Sequence, residues 1–349
     1  MKRVQVLVLS GIFAAAFFGI QQSKSLQAFV QDAKLRQSSS AASSPGQWTI
    51  SSAAASVWGG MNRLEQDRRE ALKQRIQQEA QRRYIAPINA KVDRVWKAIP
   101  GYNGLEVDIE QSLALTEQQP NTDNLKIVTK EIKPAIGLEQ LGPQPIYKGN
   151  PNKPMVSLMI NVAWGNEYLD KMLDVLEKEQ VHATFFFDGS WLKNNIPTAL
   201  KIKEKGHELS NHAYSHKNMS ELSSAKATEE ITKTQLLLEK ELGVQNRLFA
   251  PPSGDFDQET VNIAHSLKLQ TILWTLDTVD WMKPEPATII RKISTKVEPG
   301  SLILMHPTAS SSSALQQMIK IIKSKGLVLG TVSELISSNR VPEVESAPH

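Results

Sequence analysis

Short apolar runs alternate with amphipathic stretches from residue 155 onward. The apolar runs are Met155–Ile160, Ala183–Phe187, Leu269–Trp274, Ser301–Met305 and Leu327–Leu329. The stretches with helical spacing between them include Tyr168–Glu179, Ser223–Leu242 and Gln316–Ser324. Repeated strand-then-helix units predict an α/β fold with a mainly parallel sheet, either open or closed into a barrel. In such barrels the catalytic residues lie at the C-terminal ends of the strands.

The chain before this region has a different pattern. From Met61 to Tyr84 a charged stretch carries a narrow apolar stripe, which predicts a solvated stalk helix because too few heptads are present for a coiled coil. Between Ile85 and Lys148 the spacing predicts a small α/β module. Its predicted elements are a helix over Val92–Ala98 and strands over Leu105–Ile109 and Leu125–Val128.

The first residues resemble an export signal. Lys2 and Arg3 precede an apolar run from Val4 to Ile20. No clean small-residue cleavage site follows this run, so an uncleaved membrane anchor is favoured over a removed signal peptide. The next stretch is rich in Ser and Ala, and this composition predicts a tether.

The patterns divide the chain into six predicted segments. These are a signal or anchor (1–23), a Ser/Ala-rich tether (24–60), a charged helix (61–84), a small α/β module (85–150), the strand–helix domain (151–338) and a polar tail (339–349).

Composition narrows the functional classes. The 349 residues are 40% hydrophobic, enough for a full core, and the formal net charge of +4 favours acidic surfaces such as cell-wall polymers or membrane headgroups. The absence of cysteine excludes a disulfide scaffold, a thiolate nucleophile and a cysteine zinc site. No basic array interleaved with aromatic residues is present, so nucleic acid is not an expected partner.

A pair of histidines gives the first candidate for chemistry. His212 and His216, preceded by His207, are spaced so that a helical turn would place both rings on one face, within reach of one metal ion. The pair alone leaves metal binding and a hydrogen-bonded surface pair equally open.

A third histidine and two aspartates follow predicted strands. His306 comes directly after the apolar run 300–305, where a barrel would present it as a general acid. Asp277 and Asp280 could orient that histidine, and a turn or helix cap is the alternative interpretation of either carboxylate.

These strings together resemble the polysaccharide deacetylases with a NodB homology domain, carbohydrate esterase family 4, over roughly residues 154 to 336. The matching strings are 207–216 for the metal-binding histidines, 274–281 for an Asp-x-x-Asp-Trp motif, 304–306 for Leu-x-His and 251–254 for a remnant of Arg-Pro-Pro-Tyr-Gly. The resemblance implies a distorted (β/α) barrel. With its N-terminal apolar segment, the whole chain looks like the YlxY-type, sporulation-associated members.

The resemblance also implies a divalent metal, with zinc as the first candidate, and a cell-wall glycan as substrate. It assigns His212 and His216 to the metal, His306 to the general acid with Asp280 or Asp277, and the sugar groove to Trp281. Ser253, in place of the family's Tyr, and Trp164 are added to that groove.

The catalytic pattern is incomplete at three positions. Asn161 stands where relatives carry the aspartate general base, Val162 where they carry the third metal ligand, and Ala250 where they carry an arginine that supports the base. An amide does not accept a proton near neutral pH, and an isopropyl group has no lone pair for a cation. Water, the side-chain oxygen of Asn161, Asn166 or Glu167 are candidates to fill the gap.

Three functions therefore remain open. The first is metal-assisted hydrolysis of N-acetyl groups on an amino-sugar glycan such as peptidoglycan or chitin, with weak or lost activity. The second is a catalytically degenerate, exported glycan-binding or scaffold protein. The third is a structural platform on which the helix 61–84 and the small module mediate assembly.

Overall fold

A computed structural model describes residues 50–341. The predicted export signal, most of the predicted tether and the end of the polar tail lie outside the described residues. The described residues divide at Glu70 into two compact units, 50–70 and 71–341. Within the described part of the chain no helix is both long enough and apolar enough to cross a bilayer.

The first helix, α1, runs from Ile50 to Arg83. It begins before Met61, so residues 50–60, assigned to the tether from sequence, are helical. Leu72 and Ile76 are buried and pack with Val107 and Leu113 of the small module. The prediction of a solvated stalk is therefore wrong from residue 72 onward, because this turn of the stripe covers an apolar cluster.

The predicted helix over residues 92–98 is wrong. Strands β1 (Lys91–Asp93) and β2 (Lys97–Ile99) form an antiparallel hairpin there. The Asp93 carboxylate accepts hydrogen bonds from the backbone N–H groups of Val95, at 2.8 Å, and Trp96, at 2.9 Å. Such an aspartate turn competes with helix formation, and Lys97 follows it at φ 56°.

A second antiparallel pair completes the small module. Strand β3 (Gly104–Val107) pairs with β4 (Thr129–Ile132), and α2 (Ile109–Glu117) lies between them in the chain. The strand predicted at Leu105–Ile109 is thus present but ends before Asp108, which caps α2. The strand predicted at Leu125–Val128 is wrong, because pairing begins only at Thr129.

The main sheet has eight strands, and every pairing in it is parallel. Its hydrogen-bonded order is β10-β11-β5-β6-β7-β8-β9, and β12 pairs with β5 beside this path. The sheet curls, as the predicted distorted (β/α) barrel requires. The strands are β5 (Met155–Val162), β6 (Thr184–Phe187), β7 (Glu208–Asn211), β8 (Leu248–Phe249), β9 (Gln270–Thr271), β10 (Leu276–Asp277), β11 (Leu302–Met305) and β12 (Val328–Gly330).

Helices connect the parallel strands. They are α3 (Asn166–Lys178), α4 (Gly189–Asn194), α5 (Ile196–Glu204), α6 (Ser224–Leu242), α7 (Gln258–Ser266), α8 (Pro286–Lys296), α9 (Ala309–Ser324) and α10 (Val332–Ile336). Short 3₁₀ turns occur at Leu138–Leu141, Met219–Glu221, Pro252–Gly254 and Asp280–Met282.

The central strand β5 separates two apolar clusters. Val156, Leu158 and Ile160 pack with buried residues of α3 and α9, whereas Met155 and Met159 belong to a second cluster on the other face. This is the alternation that a strand buried on both faces requires. Because all strands are parallel, the residues that follow them meet at one edge, called here the carboxyl edge.

Candidate active site

Asn161 lies near the end of β5 and is 4% exposed. Its Cα pairs in register with Phe186 of β6. The side-chain oxygen of Asn161 is buried and has no hydrogen-bond partner within the described chain. A buried acceptor without a donor lowers stability, so this position holds a polar group that local packing does not explain.

Val162, the last residue of β5, is fully buried. It belongs to the apolar cluster that also contains Leu169 and Met172 of α3. Its side chain therefore contributes packing at the position where the resemblance places a metal ligand.

His212 directly follows β7 and is 1% exposed. Its Nδ1 lies 2.7 Å from the carbonyl oxygen of Ala250, which fixes Nδ1 as the protonated donor and leaves Nε2 free. Burial, followed by the charge of His216, lowers the pKa of His212 to about 3. The ring is therefore neutral at physiological pH.

His216 meets His212 through a loop and not through the predicted helical turn. Ala213 and His216 have φ values of 57° and 53°, which no helix contains. The two ring centroids are nevertheless 5.2 Å apart, at an interplanar angle of 75°.

Glu230 of α6 holds this loop. Its carboxylate accepts hydrogen bonds from the backbone N–H groups of Tyr214, at 3.0 Å, and Ser215, at 2.7 Å, and from the Ser215 hydroxyl. Asn211 adds a second restraint, because its side-chain oxygen accepts the N–H of Ala213 at 2.9 Å. Glu230 was not predicted from sequence, since a helix-surface glutamate gives no local signal of such a role.

The residues present do not fit a catalytic metal centre with three protein ligands. Two imidazoles converge, but Val162 offers no donor atom at the third position. Among residues 50–341 no cluster of three or more His, Cys, Asp or Glu side chains is arranged to hold a metal ion. The expected metal site is therefore reduced to a pair of histidines.

The His306–Asp280 pair is fully formed. His306 Nδ1 lies 2.8 Å from Oδ1 of Asp280, and its backbone N–H donates to Oδ2 at 2.6 Å. The Ser311 hydroxyl also donates to Oδ2. Asp280 is fully buried, and the imidazole is 17% exposed. The carboxylate thus fixes the ring and leaves Nε2 at the carboxyl edge.

Asp277 has a different contact. Its Oδ1 accepts the backbone N–H of Val279 at 2.7 Å, which closes the turn ahead of Asp280. Of the two aspartates that could orient the histidine, the geometry selects Asp280, and Asp277 takes the turn-capping alternative.

Trp164 stacks on His306, with ring centroids 5.8 Å apart and an interplanar angle of 10°. The neighbouring Gly165 makes this approach possible. Its φ is 88°, and a Cβ there would lie 2.0 Å from the carbonyl oxygen of Pro307. The indole remains 46% exposed, so it presents a free aromatic face beside the general-acid candidate.

The remaining predicted groove residues surround this edge to different degrees. Trp281 is 55% exposed and follows Asp280 directly. Ser253 is exposed, at φ 55°, in the turn after β8. Ala250 is fully buried in the apolar cluster that also contains Ile146 and Met159.

Two further sequence candidates are engaged elsewhere or turned outward. The side-chain oxygen of Asn166 accepts from Trp191 Nε1 at 2.6 Å, and Glu167 is exposed in the first turn of α3. His207 precedes β7, at the strand end away from His212, and its Nδ1 faces the N–H of Ala183. It is not part of the site.

The structure adds one acidic residue at this edge, Asp188. It follows β6 and is 2% exposed. One carboxylate oxygen caps α4 by accepting the N–H of Trp191 at 2.9 Å, and the other is buried without a partner in the described chain. Burial raises the pKa of the Asp188 carboxyl above its ordinary value. An Asp directly after the apolar run 183–187 was the signal that could have identified it.

The amino-acid sequence is similar to those of known proteins. Residues 148–272 match the family model described as Polysaccharide deacetylase. The chain is 46% identical over 273 residues to the uncharacterized protein YlxY of Bacillus subtilis, covering 78% of this chain and 86% of that protein. It is 29% identical over 199 residues to the peptidoglycan-N-acetylglucosamine deacetylase of Bacillus cereus, covering 56% and 72%.

Solved structures described as members of the CE4 family are also similar to this chain. Wild-type BA3943 of Bacillus anthracis, described as a CE4 family pseudoenzyme, is 44% identical with a TM-score of 0.70, covering 77% of this chain and 96% of that one. A BA3943 mutant described as having restored enzymatic activity is 43% identical with the same TM-score, covering 77% and 99%.

Proposed function

The chain belongs to the polysaccharide deacetylase family, and we propose that it binds N-acetylated amino-sugar glycan of the cell wall at the carboxyl edge, where its hydrolytic activity is weak or lost. The observation that carries this proposal is the contrast between two halves of one site. The His306–Asp280 pair is intact, whereas the base position holds Asn161.

Hydrolysis of an N-acetyl group needs two proton transfers. Water must lose a proton as it attacks the carbonyl carbon, and the departing amine must gain one. His306, oriented by Asp280, is placed to supply the second proton. Asn161 cannot accept the first, and a positioned base contributes about 10²- to 10⁴-fold to the rate.

The missing third metal ligand is a second reason to expect weak activity. Members of this family are generally metal-dependent. We propose zinc as the ion that any residual site at His212 and His216 would take, because neutral imidazoles suit it, but two protein ligands hold an ion less firmly than three. Glycan binding does not need that ion, since Trp164 and Trp281 offer exposed aromatic faces for sugar rings.

A second candidate is a degenerate deacetylase that acts as a glycan-binding or scaffold protein without turnover. It is supported by the similarity to BA3943, which is described as a pseudoenzyme. The two candidates share the groove and differ only in the rate of acetate release.

The names of the relatives also bear on location. Peptidoglycan deacetylases act on the cell wall, so we propose that this protein works at the cell surface or as a secreted protein. Attachment to the membrane through residues 1–23 is part of this proposal and rests on the apolar run alone.

The proposal is tested by titrating the full chain with N-acetylglucosamine oligomers while acetate release is measured with added zinc. We expect saturable binding with little or no acetate. Absence of binding up to millimolar oligomer would overturn both candidates. Any turnover that is lost in His306→Ala favours the weak enzyme over the scaffold.

A further inference from the structure

A cavity of about 610 Å³ lies away from the carboxyl edge. One wall comes from the small module and the segment after it, including Ala98, Leu138 and Ile146, and the opposite wall from the starts of β8 and β9 and from α10. Its volume falls within the range of pockets that bind small molecules, about 300–1,000 Å³.

The cavity is separate from the proposed active site. Arg247 lines it immediately before β8, and Ala250, whose carbonyl faces His212, comes immediately after that strand. The two residues therefore lie at opposite ends of β8, so a ligand in the cavity does not reach the histidines.

Positive charge is concentrated on one wall. Arg247 and Lys268 are exposed at the cavity, and His265 lies beside them. Neither cation has an ion-pair partner among residues 50–341. Glu139 is the acid in the lining and comes from the facing wall. Unpaired cations in a concave, partly apolar surface strengthen the local positive potential.

Neutral polar side chains also line the cavity. Gln144 and Gln270 are half-buried in the lining. Gln258 donates a hydrogen bond to the carbonyl of Pro143 at 3.1 Å and so holds the chain beside Gln144. The cavity thus combines two unpaired cations with two neutral amide side chains.

We propose that this cavity is a second binding site, for a sugar that carries one anionic group, either a carboxylate or a phosphate. Arg247 and Lys268 contact the anionic group, and Gln144 and Gln270 contact the neutral part of the sugar. The site does not depend on hydrolysis at the carboxyl edge, so the protein would hold an anionic sugar whether or not it is an enzyme.

The test is calorimetric titration of the full chain with three probes: N-acetylmuramic acid, N-acetylglucosamine 6-phosphate and neutral N-acetylglucosamine. We expect at least one of the two anionic sugars to bind more tightly than the neutral sugar, with affinity that falls as salt rises. The preferred anion identifies carboxylate or phosphate as the group recognised. Equal affinity for all three sugars, or no binding, overturns the proposal.

Variants locate the site. The double variant Arg247→Gln/Lys268→Gln should weaken binding of the anionic sugar about tenfold or more. The control Arg291→Gln/Lys325→Gln removes the same charges from exposed positions outside the cavity and should leave affinity unchanged. Unchanged affinity in the double variant, or an equal loss in the control, contradicts this location.

Discussion

The Asp280 carboxylate accepts both the Nδ1–H and the backbone N–H of His306, at 2.8 and 2.6 Å. A third hydrogen bond, from Ser311, reaches the same group. A fully buried carboxylate with three donors holds the ring in one orientation. This orientation supports the proposed role of His306 as the general acid.

The first prediction compares the two aspartates. Asp280→Asn should lower the free energy of unfolding by about 2 kcal/mol, because an amide has one acceptor oxygen in place of two and turns a donor toward a donor. Asp277→Asn, the matched control, should change it by less than about 0.5 kcal/mol, since its single contact survives. Urea denaturation at pH 7.5 measures both. Equal effects would contradict the assignment of Asp280.

The second prediction concerns the aromatic groove. Trp164→Ala and Trp281→Ala should each weaken binding of N-acetylglucosamine oligomers about tenfold, because each removes an exposed ring face at the carboxyl edge. Trp58→Ala is the control, as Trp58 is 70% exposed on α1 in the other compact unit. Calorimetric titration measures the affinities. An equal loss of affinity in Trp58→Ala would contradict a glycan-binding role for Trp164 and Trp281.

The third prediction is a pH dependence from His207. Burial, with smaller contributions from His182 and Lys205, lowers the pKa of His207 to about 4. The folded protein keeps this ring neutral, whereas the unfolded chain binds a proton below about pH 6.5. Stability is therefore lost as pH falls from 6.5 toward 4, and His207 alone should contribute a loss of about 2 kcal/mol at pH 5.

Urea denaturation at pH 7.5 and pH 5 tests this contribution. His207→Leu should reduce the difference in unfolding free energy between the two pH values by about that amount. Leu209→Val is the control, because it alters the packing of β7, the strand that follows His207, without removing a titratable group, and it should leave the difference near its wild-type value. An unchanged difference in His207→Leu would show that the ring does not titrate as its burial requires.

The fourth prediction concerns Val162. Val162→Asp places a carboxylate in the apolar cluster and should lower the free energy of unfolding by about 3 kcal/mol without metal. Zinc should restore part of this loss by binding the new carboxylate with His212 and His216, because a ligand that binds the folded state stabilises it.

Val156→Asp provides the matched control for this variant. Val156 is equally buried in the same strand and cluster but lies at the other end of β5. It should lose stability without any recovery in zinc. Thermal denaturation with and without zinc measures both variants, and an equal zinc response would mean that position 162 does not reach the histidines.

Much of the fold was predictable because its main strands are long and apolar. The run 155–160 gave β5, and the runs at 183–187 and 301–305 gave β6 and β11. Strands β7 and β8 were not predicted, because β8 has two residues and β7 buries Ser210 and Asn211. Ser210 bonds to Asn246 and to the carbonyl of Leu248, a tertiary contact that no local pattern reveals.

The candidate site could be proposed from sequence where residue identity suffices. His306, Asp280 and the substitutions at 161, 162 and 250 were proposed from motifs. The geometry of the histidine loop does not, because it depends on positive φ at Ala213 and on Glu230, a residue distant in sequence. Asp188 was not predicted, because its burial depends on the packing of other segments around β6.

Acetate release from N-acetylglucosamine oligomers tests the central claim most directly. Asn161→Asp/Val162→Asp with zinc should release acetate at least about 10²-fold faster than the wild type, since it restores both the base and the third ligand, and His306→Ala should abolish that gain. A zinc-loaded double variant no faster than wild type, or a wild type already as fast, would contradict the account.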